Sequence, residues 1–365
     1  MARPDDARER SADAGDPEGS RLDHPGVGHP DRRLRRRRDR RGNRRAELNL
    51  TSSPDYDPPG GAAVADFGIQ GTPGGSGGIP GWIDRIRDIL EPLPPVFTTF
   101  WTGDHLLHDD EPWPEAWTRL TYLAAALPRW RVGHLVLSQS YRNPGLLGAM
   151  AATLQLMSGG RFILGLGAGW LEEDYRAFDF EFPRPGVRVA QLAEAIELIR
   201  TLWTESPATF QGEWYRINGA RVERPEPPIP ILVGTNGPKA LKVTARLADW
   251  WNWDGPWEPT YRPAYENLKA ACDEVGRPFE EMTLTASLSI SMPDDPATFV
   301  PSYSHDFYPG QIFGVLGPTP ADVIREIETL VDVGVRHFPL AFDSIAELRR
   351  FVDEVVPHVR LDPKP

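Results

Sequence analysis

The sequence predicts an α/β protein of the (β/α)8 TIM-barrel class. Three observations carry this. From residue 62 onward, short apolar runs alternate with amphipathic segments of helical period; eight strands and about eight helices can be counted; and the units fill about 300 residues, as one such barrel does. Strict alternation requires parallel strands with helical crossovers. A doubly wound open sheet is the alternative arrangement.

The elements follow in order. "VADFGIQ" (64–70) is the first strand, then a Gly-rich loop and a short helix near 80–91. "PVFTTFW" (95–101) is the second, with a helix through "WTRLTYLAAAL". "RVGHLVL" (131–137) is the third; its helix starts at Pro144, a residue suited to a first turn. "RFILGL" (161–166) is the fourth. The long helix after it places Val189, Leu192, Ile196, Ile199 and Trp203 on one face. "ATFQGEWYRINGARVERPEPP" (208–228) breaks the alternation and reads as a small β-hairpin insertion after the fourth βα unit. "PILVG" (230–234), "DWWNW", "MTLTASLSI" (282–290) and "RHFPLAF" (336–342) complete the ring, each followed by a helical pattern.

Composition narrows the function. The net charge of −12 argues against nucleic acid, although "DRRLRRRRDRRGNRR" (31–45) packs ten Arg with two Asp. Such a run is expected to be a solvated segment. Residues 1–60 hold no Trp and no Phe, so they form an Arg-rich extension expected to be disordered, ahead of one domain at 61–365. No apolar stretch approaches membrane-spanning length, and no apolar run follows the arginines as in a secretion signal. Cytoplasm is the expected compartment, and whether the chain pairs into a homodimer stays open. Cys272 is the sole cysteine, so a disulfide within the chain is impossible.

In a barrel of this class the strand C-termini face the active site. Here they offer Gln70, Gly103-Asp104-His105, Ser138-Gln139-Ser140-Tyr141, Gly167-Ala168-Gly169, Gly234-Thr235-Asn236 and Asn252-Trp253. No metal-ligand spacing, GxSxG elbow or nucleophilic cysteine context is present. "GLGAGW" (165–170) lacks the third glycine of a dinucleotide fingerprint, because Trp170 stands there. Its glycines are expected to let a flat ligand lie on bare backbone. "GTNGPKA" (234–240) puts Gly237 and Lys239 at a helix N-terminus, where backbone N–H groups suit a phosphate. The residues therefore suggest a flat, phosphate-bearing ligand without a metal: a flavin-like cofactor or a sugar phosphate.

"YRNPGLLGAMAATLQLMSGGRFILGLGAGWLEEDYRAF", "GVRVAQLAEAIELIRTLWTESPATFQGEWYRI" and "PIPILVGTNGPKALKVTARLADWWN" together resemble the luciferase-like monooxygenase superfamily, most closely its branch using the deazaflavin coenzyme F420. The similarity runs from about Asp66 to Phe342. It implies that His105 serves proton transfer beside the redox-active ring, with Asp104 next to it. It also implies that Ser138, Gln139, Ser140 and Asn143 belong to the loop under the ring, often with a non-prolyl cis peptide. Gly167, Ala168 and Gly169 then flank the ribityl side, and Gly234, Thr235, Asn236, Gly237 and Lys239 form the phosphate loop. Gln70, Trp170 and Trp253 are left for the substrate pocket. Sugar-phosphate dehydrogenases of this family carry a glutamate where Trp170 stands, so a small apolar or aromatic substrate is expected. The expected activity is F420-dependent hydride transfer. An FMN-dependent monooxygenase activating O₂ is the alternative, and a non-catalytic flavin- or deazaflavin-binding barrel a second one.

Overall fold

The computed structural model describes residues 64–73, 81–108, 111–112, 114–303 and 313–364. The extension at 1–60 and most of the Gly-rich loop after the first strand lie outside them. Eight parallel strands close a ring: β1 (Asp66–Gln70), β2 (Phe97–Thr102), β3 (Arg131–His134), β4 (Phe162–Gly167), β5 (Ile231–Gly234), β6 (Trp250–Asp254), β7 (Thr283–Ile290) and β8 (Val335–Phe342). Each pairs with its neighbours in sequence, and β8 pairs back onto β1.

The helices α1 (Trp82–Leu90), α2 (Ala116–Ala126), α3 (Pro144–Ser158), α4 (Glu172–Ala177), α5 (Pro185–Thr204), α6 (Pro238–Leu247), α7 (Arg262–Val275), α8 (Pro320–Asp332) and α9 (Ile345–Glu354) form the outer shell. Local chemistry sets their ends. Asn143 caps α3 through bonds from the Gly145 and Leu146 N–H groups, Pro144 fills its first turn, and Gly159 stops it at a φ of 70°.

Strand side chains alternate between two cores. Phe67 and Phe97 face outward and meet Phe351 of α9 edge-on, while Leu164 and Leu166 pack on Leu192, Ile196 and Ile199 of α5. Inside the ring, Trp101 packs with Ile163, Leu232 and Trp250. Its indole N–H donates to Nε2 of His337 at 2.8 Å, and His337 in turn pairs through Nδ1 with Asp66. Gly68 makes room for that indole; a Cβ there would lie 2.6 Å from the ring nitrogen.

The hairpin insertion forms as expected from Ala208–Gln211 and Arg216–Ala220. Its turn is pinned by buried Glu194, whose carboxylate accepts from the N–H groups of Glu213, Trp214 and Tyr215 at 2.9, 2.9 and 2.5 Å. Three features depart from the sequence reading. β3 stops at His134 and resumes only at Leu137–Ser138, against β4. The non-prolyl cis peptide joins Leu135 to Val136, upstream of the 138–143 loop where the resemblance put it. Between β4 and the expected long helix lies an additional short helix, α4. Among the described residues no helix is long and apolar enough to cross a membrane, and no cluster could hold a metal ion.

Candidate active site

The C-terminal mouth of the ring brings together the loops after β2, β3 and β4. The first contributes Asp104 and His105. Asp104 is buried and takes both arms of the Arg142 guanidinium, at 2.8 and 3.0 Å, and the Ser138 backbone N–H at 3.0 Å. A planar fork on a carboxylate fixes both partners, so Asp104 ties the β2 loop to the β3 loop and its carboxylate is spent on that role. Arg142 also pairs with Glu115, the cap of α2. Burial pushes the Glu115 carboxyl up, but hydrogen bonds from Thr118 and the Arg142 charge outweigh it and bring its pKa down to about 2.

His105 points the other way. Its Nδ1 lies 3.1 Å from Oδ2 of Asp174 on α4, and its ring meets Trp170 edge-on with centroids 5.3 Å apart. Asp174 is fully buried, and its other oxygen accepts the N–H groups of Leu106 and Leu107 at 3.2 and 2.9 Å. Burial, then Asp174 itself, raises the Tyr141 phenol far above its ordinary value, so it stays protonated beside the carboxylate. An ionised carboxylate only accepts, so a neutral imidazole opposite one carries its proton on Nδ1 and keeps a lone pair on Nε2. The side chain retains 27% of its exposure, and Nε2 is the atom left for a reacting molecule.

The glycines after β4 have a different reason from the expected one. A Cβ on Gly167 would lie 2.7 Å from Cγ2 of Val136, and one on Gly165 would overlap the His134 carbonyl. A Cβ on Gly169 would overlap the Tyr175 hydroxyl, and its φ is +76°. The bare backbone accommodates protein: the inward-lifted Val136 and the Tyr175–Ser138 hydrogen bond of 2.5 Å. Gly234 belongs to the same arrangement, its Cβ position lying 3.1 Å from Val136. Gly103 is less crowded: a Cβ there would make ordinary contact with His105 and the Leu135 carbonyl, each at 3.9 Å.

The remaining predicted residues divide. Gln70 ends β1, partly exposed at the rim. Trp170 stands beside His105, 38% exposed. Ser138 and Gln139 are buried, and Gln139 binds Ser140 at 2.7 Å and accepts from the Tyr215 hydroxyl of the hairpin at 2.8 Å. Ala168 is half-buried against the outer core of β4 and α5. Asn143 is exposed and its side-chain oxygen is the cap of α3, so that side chain serves the helix. Trp253 packs on the outer core with Tyr261 and Trp251, because residues 250, 252 and 254 are the ones that face inward. On β6 the mouth is therefore walled by Asn252 and Asp254. Thr235 receives the Trp251 indole N–H on its carbonyl at 2.7 Å. Asn236 and Lys239 are exposed, and α6 starts at Gly237 with no side-chain cap, leaving its first N–H groups and Lys239 available together. Asp174 and Asp254 are the residues sequence reading missed. The run "LEEDY" was the signal for the first, but only the fold chooses which acid meets His105.

A family model for luciferase-like monooxygenases matches residues 96–322. An F420-dependent glucose-6-phosphate dehydrogenase of Kineococcus radiotolerans is 34% identical over 207 residues, 54% of this chain and 60% of that protein. The chain thus spans about three fifths of that relative's length. A protein of the same name from Microbacterium testaceum is 26% identical over 72% of this chain and 89% of its own. Among solved structures, an F420-dependent secondary alcohol dehydrogenase superposes with a TM-score of 0.65 at 19% identity, over 81% of this chain and 99% of its own. The F420-dependent tetrahydromethanopterin reductase of Methanopyrus kandleri gives 0.65 at 20%, over 82% and 100%. At these identities the two structures establish the shared fold.

Proposed function

Because this chain belongs to the luciferase-like monooxygenase family, we propose that it is an F420-dependent oxidoreductase acting on a small, neutral alcohol or carbonyl compound. The observation that carries this reading is the His105–Asp174 pair, which leaves Nε2 free at the mouth of the barrel beside Trp170. The residues present fit the coenzyme. The uncapped start of α6 with Lys239 offers N–H groups and a charge for a phosphate. When bound, the coenzyme supplies a deazaflavin C5 that exchanges hydride.

The chain's own work is orientation and proton handling. In the oxidising direction the substrate carbon gives up a hydride, and His105 Nε2 takes the hydroxyl proton, leaving a carbonyl product. Asp174 holds the imidazole in the accepting tautomer and stabilises the imidazolium that results. Trp170 narrows the entry beside His105 and supplies an apolar wall. The named relatives act on glucose 6-phosphate, but an indole in place of an acid beside His105 favours a less polar substrate.

Parallel fluorescence titration of the purified protein with F420 and FMN tests the reading. Micromolar F420 binding with weak or no FMN binding is expected. Preference for FMN, with oxygen consumption, would replace it by the monooxygenase alternative.

A further inference from the structure

Asp254 ends β6 on the inward face, in line with Trp250, which packs at the barrel centre, and Asn252. In a ring of eight consecutive strands β6 lies four places from β2, so Asp254 stands across the mouth from the loop that carries His105. The side chains of Asn252 and Ser287 stand beside its carboxyl and favour its charged form. Asn252 is itself fixed, accepting from Thr285 at 2.7 Å and from Ser287 at 3.2 Å. Among the described residues no Lys or Arg forms an ion pair with Asp254. Burial of this carboxyl pushes its pKa up to about 6, against the opposing effect of Ser287 and Asn252, while the residue keeps part of its surface at the rim. At pH 7 and above it is mostly an anion with no cation beside it, a state that meets a second anion unfavourably and a hydroxyl donor well.

We propose that Asp254 is a specificity-determining residue: it disfavours substrates that carry a phosphate or carboxylate at the end facing β6, and it accepts a hydrogen bond from a neutral, hydroxyl-bearing substrate. This rests on the proposed oxidoreductase site and adds its selection rule. A substrate spanning the mouth has its reacting end at His105 and its far end at Asp254. An anionic tail at that far end would meet an uncompensated carboxylate in a partly desolvated wall, where like-charge repulsion is large.

The test compares glucose and glucose 6-phosphate by titration calorimetry at pH 7.5 on the wild-type protein, Asp254→Asn and Asp254→Glu. Asp254→Asn should bind glucose 6-phosphate about tenfold more tightly than wild type, or better. Its affinity for glucose should stay the same or weaken. Asp254→Glu keeps the charge and should keep the exclusion. Equal glucose 6-phosphate affinity in wild type and Asp254→Asn, including no binding in either, would overturn the proposal. So would an equal gain for both sugars. A parallel F420 titration separates the two claims: a wild-type protein that does not bind F420 defeats the oxidoreductase reading, while the sugar comparison still decides the role of Asp254.

Discussion

Asp174→Asn isolates what the buried carboxylate does for His105. One oxygen of Asp174 serves the Leu106 and Leu107 N–H groups and the other faces His105 Nδ1. An amide can keep only one oxygen. If it stays on the two backbone donors, the NH₂ turns to His105, Nδ1 must accept, and the proton moves to Nε2. The imidazole then presents a donor where an alcohol needs a base. The loss should approach that of His105→Ala, about 10²–10⁴ in the transfer step, or about 3–5 kcal/mol of barrier. The assay is single-turnover reduction of F420 by a secondary alcohol, followed by absorbance from pH 5.5 to 9. F420 affinity and melting temperature are measured alongside, because Asp174 also holds the β2 loop. Wild-type rates in Asp174→Asn, with an unchanged pH profile and intact F420 binding, would refute a proton-handling role for the pair.

Lys239→Ala should weaken F420 binding by about 1–3 kcal/mol yet leave a phosphate-free deazaflavin nearly unaffected; equal losses in the two titrations would place Lys239 away from the phosphate. Gly169→Ala combines a φ of +76° with overlap of the Tyr175 hydroxyl, so urea denaturation should show a loss of about 2–5 kcal/mol, and an unchanged midpoint would contradict that packing. Glu115 has a folded pKa lowered to about 2 from 4.5. The stability it contributes is present above the unfolded value and is lost as pH falls from about 4.5 towards 2. Glu115→Gln should therefore destabilise the protein at pH 7 and flatten the acid limb of its stability curve; an unaltered limb would show that the Arg142 pairing contributes nothing.

The sequence by itself determined the ring and the location of its mouth. Apolar-rich runs such as "RFILGL" are legible because strands buried on both faces are mostly apolar, and the helices between them carry a 3.6-residue period. Parallel pairing then leaves one end for the connecting loops, which is why Asp104, His105, Trp170 and Lys239 could be placed near that end from local sequence alone. What the tertiary structure decided was which groups touch. His105 found Asp174, 69 positions away, because α4 folds back over the β2 loop, a contact that no spacing rule encodes. Asp104 went to Arg142, since neighbours in an extended chain point to opposite sides. The inward face of β6 went to Asn252 and Asp254 and not to Trp253, since the alternation there is set by Trp250 packing at the barrel centre. Gly167 is glycine because of Val136, which lies where β3 breaks after His134, and Gly169 because of Tyr175 on α4. Periodicity reports burial along one segment; partnership across the mouth depends on how separate segments pack, and only their assembled positions fix it.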